Sequence, residues 1–457
     1  MSGKSYECAL ALLEVLAPEL MGKEWKTLGD WLNAIPDQLL FIKPMMLLTK
    51  LIAQYLSGRV ETATEGYWQA MRMLEDDKLS LLPDASRTLQ AGLAFLTAFR
   101  TFLDRDFEHT VQYSKKYIEK HPEGDLFVGF GSDRDGYHPV WDIYVSDDSL
   151  LLAEQIVIPL LSIWSESENF HFVAHLYIDF GKLQYERNRL SEAERYMRKA
   201  YDIGRQYDNV SLMTIAELWL ARIAAVQGEW NVANVRVQEL EKRTNSLMNP
   251  HLSRRILLFL TMLGKLQNSG KWRDQWLRKS GLSDKNEIPL SMVEEYRLLA
   301  IIQAERGQTE RAHILIERLL RIVNKSKGRQ GERIRLLISQ SRVFFLQGKV
   351  VQSMDVLEKA LAVAYPENYI RTFVDEGAPI GELLAQYIKF RQSQQYRPHK
   401  KVPLSYVKRL HRVIYPLNEQ FHTDISTNGY KPSLTLKEQA VLKLMEKGLT
   451  NKEIAYE

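Results

Sequence analysis

The chain has 457 residues, with 61 Lys and Arg against 57 Asp and Glu, which leaves a formal net charge of +4. At about 100–200 residues per domain, this length corresponds to about three domains, or to one long repetitive domain with an appendage. A hydrophobic fraction of 45% and a charged fraction of 26% exclude a disordered or collagen-like chain. The small charge excess argues against a protein that coats nucleic acid, although it allows a small basic module.

Cysteine usage and hydropathy indicate the compartment. Cys8 is the only cysteine, so no internal disulfide can form and a secreted, disulfide-stapled fold is excluded. No stretch approaches the roughly 20 consecutive apolar residues of a transmembrane helix, and the N-terminus lacks a signal-peptide pattern. We therefore expect a cytoplasmic protein.

Helix-breaking residues are scarce, with 15 Pro and 24 Gly in the whole chain. Between residues 160 and 365 the prolines are Pro250 and Pro289, which leaves long stretches where helices are permitted. Apolar residues recur at helical spacing on one stripe, namely Ala312, Leu315, Ile316, Leu319, Leu320 and Val323. The sequence predicts an all-α fold.

Turn residues recur at a regular interval. Gly228, Gly270, Gly307 and Gly348 follow one another at spacings of 42, 37 and 41 residues. Asn188 precedes Gly228 by 40 residues, and asparagine can replace glycine in a left-handed turn. The repeated unit is therefore helix, turn, helix, which forms an antiparallel hairpin.

Small residues occupy the same place in each unit, five residues after the turn: Ala193, Ala233, Ala312 and Ser353. Small residues at this position indicate that neighbouring helices approach closely. Trp230 and Trp272, just after turn glycines, are expected to pack between adjacent repeats. The pattern resembles the tetratricopeptide repeat, whose usual period is about 34 residues. With weaker copies at Gly22 and Gly58, it predicts an α-solenoid of helical hairpins.

Residues 124–149, the irregular insert, break the pattern with four glycines, five aromatic residues and six aspartates. Aromatic rings that stack on a sugar, and carboxylates that accept its hydroxyl hydrogens, are typical of a site for a small polar ligand. The candidate ligand-binding residues are Phe130, Asp133, Tyr137, Trp141 and Tyr144. The alternative is that the aromatic rings only seat the insert on the solenoid.

The sequence offers no complete metal or catalytic constellation. His171 and His175 share a helix face at i, i+4, but no third ligand is evident. A third hypothesis, a carbohydrate-active enzyme that uses Asp133 and Asp142, is disfavoured, because one loop cannot establish the spacing of a carboxylate pair. We expect no metal site and no catalytic residues.

The C-terminal region begins with a basic stretch and ends with two capped helices. Residues 387–415 contain eight Lys and Arg and no acidic residue, which predicts a linker. Farther on, Thr435 and Glu438 form a capping box, and Gly448 closes the helix. Thr450, with a glutamate three residues later, forms a second capping box. Two capped helices joined by a glycine turn are typical of the start of a helix-turn-helix.

Residues 434–455, LTLKEQAVLKLMEKGLTNKEIA, resemble the first half of the LuxR-type helix-turn-helix. Residues 369–377, YIRTFVDEG, followed by two leucines, resemble the segment that closes the repeat domain in MalT-like LuxR-family regulators. Residues 24–40 are similar to the first helices after the ATPase and arm modules of that family. The resemblance spans nearly the whole chain.

This resemblance implies a transcription regulator of which parts are missing. The family carries an N-terminal ATPase with Walker motifs, but none is present here, so we expect no cofactor and expect ATP only in relatives with that module. The recognition helix that would follow Ala455 is missing too. Carried over to this sequence, the candidate DNA-binding residues are Thr450, Asn451 and Lys452 at the start of the second helix, with Lys437 a weaker candidate.

The predicted organisation is N-terminal repeats (1–123), the irregular insert (124–149), a tetratricopeptide-like solenoid (150–386), a basic linker (387–430) and a partial helix-turn-helix (431–457). The leading hypothesis is a non-enzymatic regulator whose solenoid binds a ligand or partner and controls the C-terminal module. The first expected partner is DNA, bound through the complete form of that module. The second is either a small-molecule inducer, such as a carbohydrate, or a protein, and the third is another copy of the chain. The alternative is a scaffold that binds a peptide or protein and has no role on DNA.

Overall fold

The computed structural model describes residues 3–23, 25–75, 82–126, 149–166, 172–246, 250–266, 271–326, 329–393 and 402–423. Every regular element in these ranges is helical, which confirms the all-α prediction. Within the same ranges, no helix is long and apolar enough to cross a membrane.

The first helices form the N-terminal end of the array. They are α1 (Gly3–Lys23), α2 (Trp25–Asn33), α3 (Asp37–Leu40), α4 (Pro44–Leu56), α5 (Val60–Glu75), α6 (Pro83–Leu103) and α7 (Phe107–Lys120). Short turns at 57–59 and 104–106 join α4 to α5 and α6 to α7, so each pair forms a hairpin. Fully buried residues such as Leu48 and Leu89 connect these helices into one apolar core.

The array continues with α8 (Leu150–Trp164), α9 (Phe172–Glu186), α10 (Leu190–Gln206), α11 (Val210–Val226), α12 (Trp230–Ser246), α13 (Pro250–Leu266), α14 (Lys271–Ser280), α15 (Val293–Glu305), α16 (Thr309–Lys325), α17 (Gln330–Leu346) and α18 (Val350–Ala364). From α9 onward, successive helices pair as hairpins. The first helices of neighbouring hairpins also touch, α9 with α11, α11 with α13, and α15 with α17. This stacking is that of the predicted α-solenoid.

The repeat turns have the predicted backbone conformation. Gly228, Gly307 and Gly348 have φ angles of +87°, +81° and +75°. Only glycine adopts this left-handed region without strain. Asn188 takes the equivalent position with φ of +60°, which confirms that asparagine replaces glycine in that turn.

The weaker N-terminal copies agree less well with the prediction. Gly58 lies in a turn with φ of +77°, as expected. Gly22 lies in the last turn of α1, because that helix continues to Lys23, so the turn predicted there is wrong. Gly270 lies outside the described residues.

The small residues after each turn let helices approach closely. Ala193, Ala233, Ala312 and Ser353 are all fully buried. In the last hairpin, the Ser353 hydroxyl donates a hydrogen bond to the carbonyl oxygen of Ser341, 2.8 Å away on α17. Trp230 is partly buried against the core of α11 to α13, and the side chain of Trp272 lies outside the described part of the chain.

The two helices of a hairpin bury different amounts of surface. In α10, the buried residues form one stripe: Ala193, Met197, Ala200 and Gly204. In α11, every residue from Leu212 to Val226 is buried, because this helix contacts α9, α10, α12 and α13. The first helix of each hairpin therefore lies in the interior of the array, whereas the second helix of each hairpin exposes one face.

The last helices that the structure describes are α19 (Arg371–Val374), α20 (Ala378–Gln392) and α21 (Leu404–Thr423). These helices build a C-terminal core with α17 and α18, in which Tyr387 and Leu410 are fully buried. The stretch predicted as a basic linker is therefore packed over 387–392 and 402–414, which corrects that prediction for these residues. The correction has a simple cause: apolar residues from Val402 to Ile414 recur at helical spacing, while basic residues such as Arg409 stay exposed.

Candidate functional site

Residues 367–377, here called the strap, lead from α18 through α19 to α20 and cross to the middle of the array. The backbone N–H of Ile370 donates to the Glu186 carbonyl oxygen at 2.9 Å. The N–H and the hydroxyl of Thr372 donate to the Glu186 carboxylate at 3.1 and 2.8 Å. Thr372 and Glu186 are 186 positions apart in the sequence, so these contacts close a turn of the solenoid by joining the strap to the end of α9.

A second contact closes the same turn at α8. The Leu151 backbone N–H donates to the Glu367 carboxylate at 3.0 Å. Leu150 is buried in the C-terminal core rather than in the N-terminal one. The strap itself is fixed in this core by Tyr369, Ile370, Phe373 and Val374, all of them buried.

Asp375 of the strap accepts bonds from two inner helices. Its Oδ2 lies 2.6 Å from Arg222 Nη2 on α11 and 2.8 Å from the donating Tyr185 hydroxyl on α9. Arg371 pairs with its other oxygen. The Arg222 guanidinium also lies over the rings of Tyr185 and Trp219, at 5.0 and 5.1 Å from their centroids.

A second ion cluster surrounds Glu376. Its carboxylate lies 2.8 Å from Arg297 on α15, and Arg297 also pairs with Glu294 at 2.5 Å. Arg335 on α17 donates from Nε to the other Glu294 oxygen at 3.2 Å, and Arg297 bonds the Ser339 hydroxyl at 3.1 Å. Strap, α15 and α17 therefore share one buried charge network.

Burial and charge shift the pKa values of this network in opposite directions. Burial raises the pKa of Glu186, because the nearby Arg335 and the Thr372 hydrogen bond compensate only in part. Burial would also raise the pKa of Glu294, but Arg297 and Arg335 outweigh it and lower the value. Burial opposes the charge of Arg297, yet Glu294 and Glu376 raise its pKa, so it stays charged.

A cleft lies between the strap and the first helices of the hairpins. Glu186, Arg222, Arg297 and Arg335 line its polar side, and its apolar side is formed by Trp219, Phe259, Met262, Leu263 and Leu298. With the strap in place, about 30 Å³ remains open, which is room for about two water molecules. We call the residues of α9, α11, α13, α15 and α17 that line this cleft the inner wall.

Arg335 has spare hydrogen-bonding capacity toward the cleft. Its side chain is 13% exposed. Among the described residues, its guanidinium donates one hydrogen bond, from Nε to Glu294. Both terminal nitrogens therefore stay available to an acceptor in the cleft.

The binding residues predicted from the sequence lie outside the described part of the chain. These are Phe130, Asp133, Tyr137, Trp141 and Tyr144 of the irregular insert, and Lys437, Thr450, Asn451 and Lys452 of the helix-turn-helix. His171, of the paired histidines, lies outside it too, and His175 packs against Phe172 at a ring distance of 6.1 Å. Among the described residues, no group of three metal-ligating side chains occurs.

Sequence reasoning missed the charged inner wall, although a signal for it exists. Arg222 stands in α11, where nearly all other residues are apolar, and Glu294 and Arg297 stand in the equally buried α15. Charged side chains in helices that are buried all round need buried partners. This signal indicates an internal polar site, but not which residues face one another.

The part of the chain that contains the strap and the inner wall matches a known family. The profile described as the MalT-like TPR region matches residues 138–389, more than half of the chain. The chain belongs to this family. The match ends within α20, so it includes the strap, and it confirms the MalT-like resemblance of residues 369–377.

The curated relatives that the chain matches are transcription regulators by name. The HTH-type transcriptional regulator MalT of Serratia proteamaculans (strain 568) is 26% identical over 293 residues, which cover 59% of this chain and 30% of the relative. The protein of the same name from Vibrio cholerae is 25% identical over 286 residues, 59% of this chain and 31% of the relative. The chain thus spans about a third of the length of these MalT proteins, and the helix-turn-helix resemblance of residues 434–455 stays a prediction.

Proposed function

We propose that this MalT-like chain is the sensing region of a LuxR-family transcription regulator, in which binding of a ligand or partner to the solenoid controls a C-terminal DNA-binding module. The observation that carries the proposal is the strap. Asp375 and Glu376 of the strap bind the inner wall, while its apolar residues belong to the core of α20 and α21, the helices that precede the C-terminal residues.

The mechanism is a shift between two populations. A ligand that binds one curvature of the solenoid better than the other shifts the equilibrium toward it by its difference in affinity. Because the strap connects the inner wall to the C-terminal core, a change in the curvature of the solenoid moves α20 and α21 relative to α9 and α11. In this proposal the region catalyses no reaction and binds no nucleotide. It acts in the cytoplasm, and copies of the chain associate with one another.

The irregular insert is the proposed ligand site, and it is tested by thermal shift. A panel of oligosaccharides and small metabolites is screened for compounds that raise the melting temperature. We expect Trp141→Ala with Tyr144→Ala to abolish the rise, because the stacking rings are lost. The control, Trp31→Ala at a half-exposed tryptophan on α2, leaves it intact; an unchanged shift in the double variant refutes this location.

The C-terminal residues are the proposed phosphate contacts. We expect the chain to bind duplex DNA weakly, with an affinity that falls steeply with salt, because phosphate contacts release counterions. Lys452→Gln should reduce the slope of log affinity against log salt by about one, whereas Lys359→Gln, at an exposed site on α18, should not. Fluorescence anisotropy measures both slopes, and equal slopes contradict the assignment.

The scaffold hypothesis is the second candidate, and one observation favours it. The inner wall already holds a peptide segment, the strap, through side-chain and backbone contacts. A protein partner recovered by the chain, together with no thermal shift from any small molecule, supports the scaffold over the ligand sensor.

A further inference from the structure

The strap and the inner wall have complementary buried charge. On the wall, Arg222, Arg297 and Arg335 face Glu186 and Glu294, which leaves one positive charge. Facing the wall, the strap presents Arg371 with the two adjacent acids Asp375 and Glu376, which leaves one negative charge. The third acid of the strap, Glu367, contacts α8 instead. Asp375 and Glu376 thus supply the anions that the wall lacks.

We propose that the inner wall is a binding site for a peptide segment with two adjacent acidic side chains, and that the strap is its intramolecular occupant. A partner peptide then competes with Asp375 and Glu376 for Arg222 and Arg297. The proposal deepens the proposed function by naming a partner class, but it rests on contacts of the inner wall and not on the insert or on DNA.

The contacts of the wall fit a peptide better than a small anion. The Glu186 carbonyl and carboxylate accept backbone N–H groups of Ile370 and Thr372, which a small dicarboxylate does not possess. The apolar side of the cleft, with Phe259 and Met262, offers surface for a side chain beside the acidic pair. The spare Arg335 nitrogens can bind one further carboxylate in a forked geometry.

The strap's ionic contacts suit exchange. A buried ion pair gives little net stabilisation, because desolvation of both charges offsets their attraction. A competitor that brings matching carboxylates leaves no arginine unpaired, so the exchange avoids the large cost of an isolated buried charge. The strap, being part of the same chain, competes at an effective concentration of about millimolar or higher, which masks the site in the resting protein.

The test measures binding of a labelled, end-capped peptide with the sequence of residues 367–378 to the full chain. The strap variant, Asp375→Asn with Glu376→Gln, weakens the occupant and should bind the peptide at least about ten-fold more tightly than the wild type. The control variant, Glu194→Gln with Asp202→Asn, makes the same charge change on the outer face of α10 and should bind like the wild type. Adding Arg222→Gln to the strap variant should lower the affinity, because Arg222 pairs with Asp375 of the strap and would pair with the same acid of the peptide.

Three results overturn the proposal. The first is a folded strap variant, with wild-type helical circular dichroism, that binds no more tightly than the wild type. The second is equal binding of a peptide in which both acids are replaced by their amides. The third is displacement of the labelled peptide by citrate as effectively as by unlabelled peptide, since the backbone contacts of the peptide would then contribute nothing to its affinity.

A second measurement covers the case in which the strap variant does not fold. Millimolar peptide added to the wild type should increase deuterium uptake of residues 367–377, because the strap is displaced, and the amide peptide should not. No increase with the acidic peptide overturns the proposal. Neither measurement involves DNA or the insert, so the proposed sensor function and this site can fail separately.

Discussion

Glu186, which is partly buried, and Glu294, which is fully buried, both lie on the first helix of a hairpin, yet their surroundings differ. Glu186 lies against hydrogen-bond donors of the strap, with Arg335 nearby but not in an ion pair with it. Glu294 is paired directly with Arg297 and Arg335. Burial therefore dominates at Glu186 and raises its pKa, whereas charge dominates at Glu294 and lowers it.

These two carboxylates should impose opposite pH dependences on stability. The contribution of Glu186 is complete below its unfolded-state pKa of about 4.5 and is lost as the pH rises through its higher folded-state pKa. The contribution of Glu294 is complete above that unfolded value and is lost as the pH falls through its lower folded-state pKa. The stability difference between wild type and Glu186→Gln should therefore shrink with rising pH, and that between wild type and Glu294→Gln with falling pH.

Urea unfolding between about pH 3.5 and 7 measures both differences. Two differences that stay constant over this range, or that change in the same direction, contradict the assignment of burial to one residue and ion pairing to the other.

At the scale of helices and turns, the sequence predicted most of what the structure contains. Periodicity and the turn residues identified the hairpins, because a left-handed turn and a buried small residue each restrict the residue type strongly. The packed part of 387–415 was misread, because the prolines and the run of basic charge obscured the apolar spacing of α21. Its buried stripe, from Val402 to Ile414, was present in the sequence.

A pair of glycine substitutions tests the turns. Gly307 has φ of +81°, and the space that a Cβ would occupy there is open, so Gly307→Ala should cost about 1–2 kcal/mol through the backbone alone. Gly331, within α17, has room for a Cβ at 3.5 Å from its nearest neighbour, so Gly331→Ala should stabilise by about 0.5–1 kcal/mol. Chemical denaturation checks both signs, and two variants that shift stability in the same direction contradict the turn assignment.

At the scale of the whole molecule, the solenoid is closed by contacts that join α8, α9 and α11 to the strap. The sequence did not predict this closure. Residues such as Tyr185 and Asp375, 190 positions apart, have no periodic relation, and pairing between them depends on the curvature accumulated over the intervening hairpins. The resemblance of residues 369–377 marked the segment, but the partners on the inner wall required the structure.

Deuterium uptake of residues 367–377 tests the closure most directly. The Ile370 and Thr372 amides donate to Glu186, and Asp375 anchors the strap to Arg222. Asp375→Asn weakens a charge-assisted contact, and we expect uptake of the strap and of residues 183–189 to become at least about ten-fold faster together. Helices α4 and α6 should keep their wild-type rates, as should the whole chain in the control Asp202→Asn. Unchanged uptake of the strap in a folded Asp375→Asn protein contradicts the account.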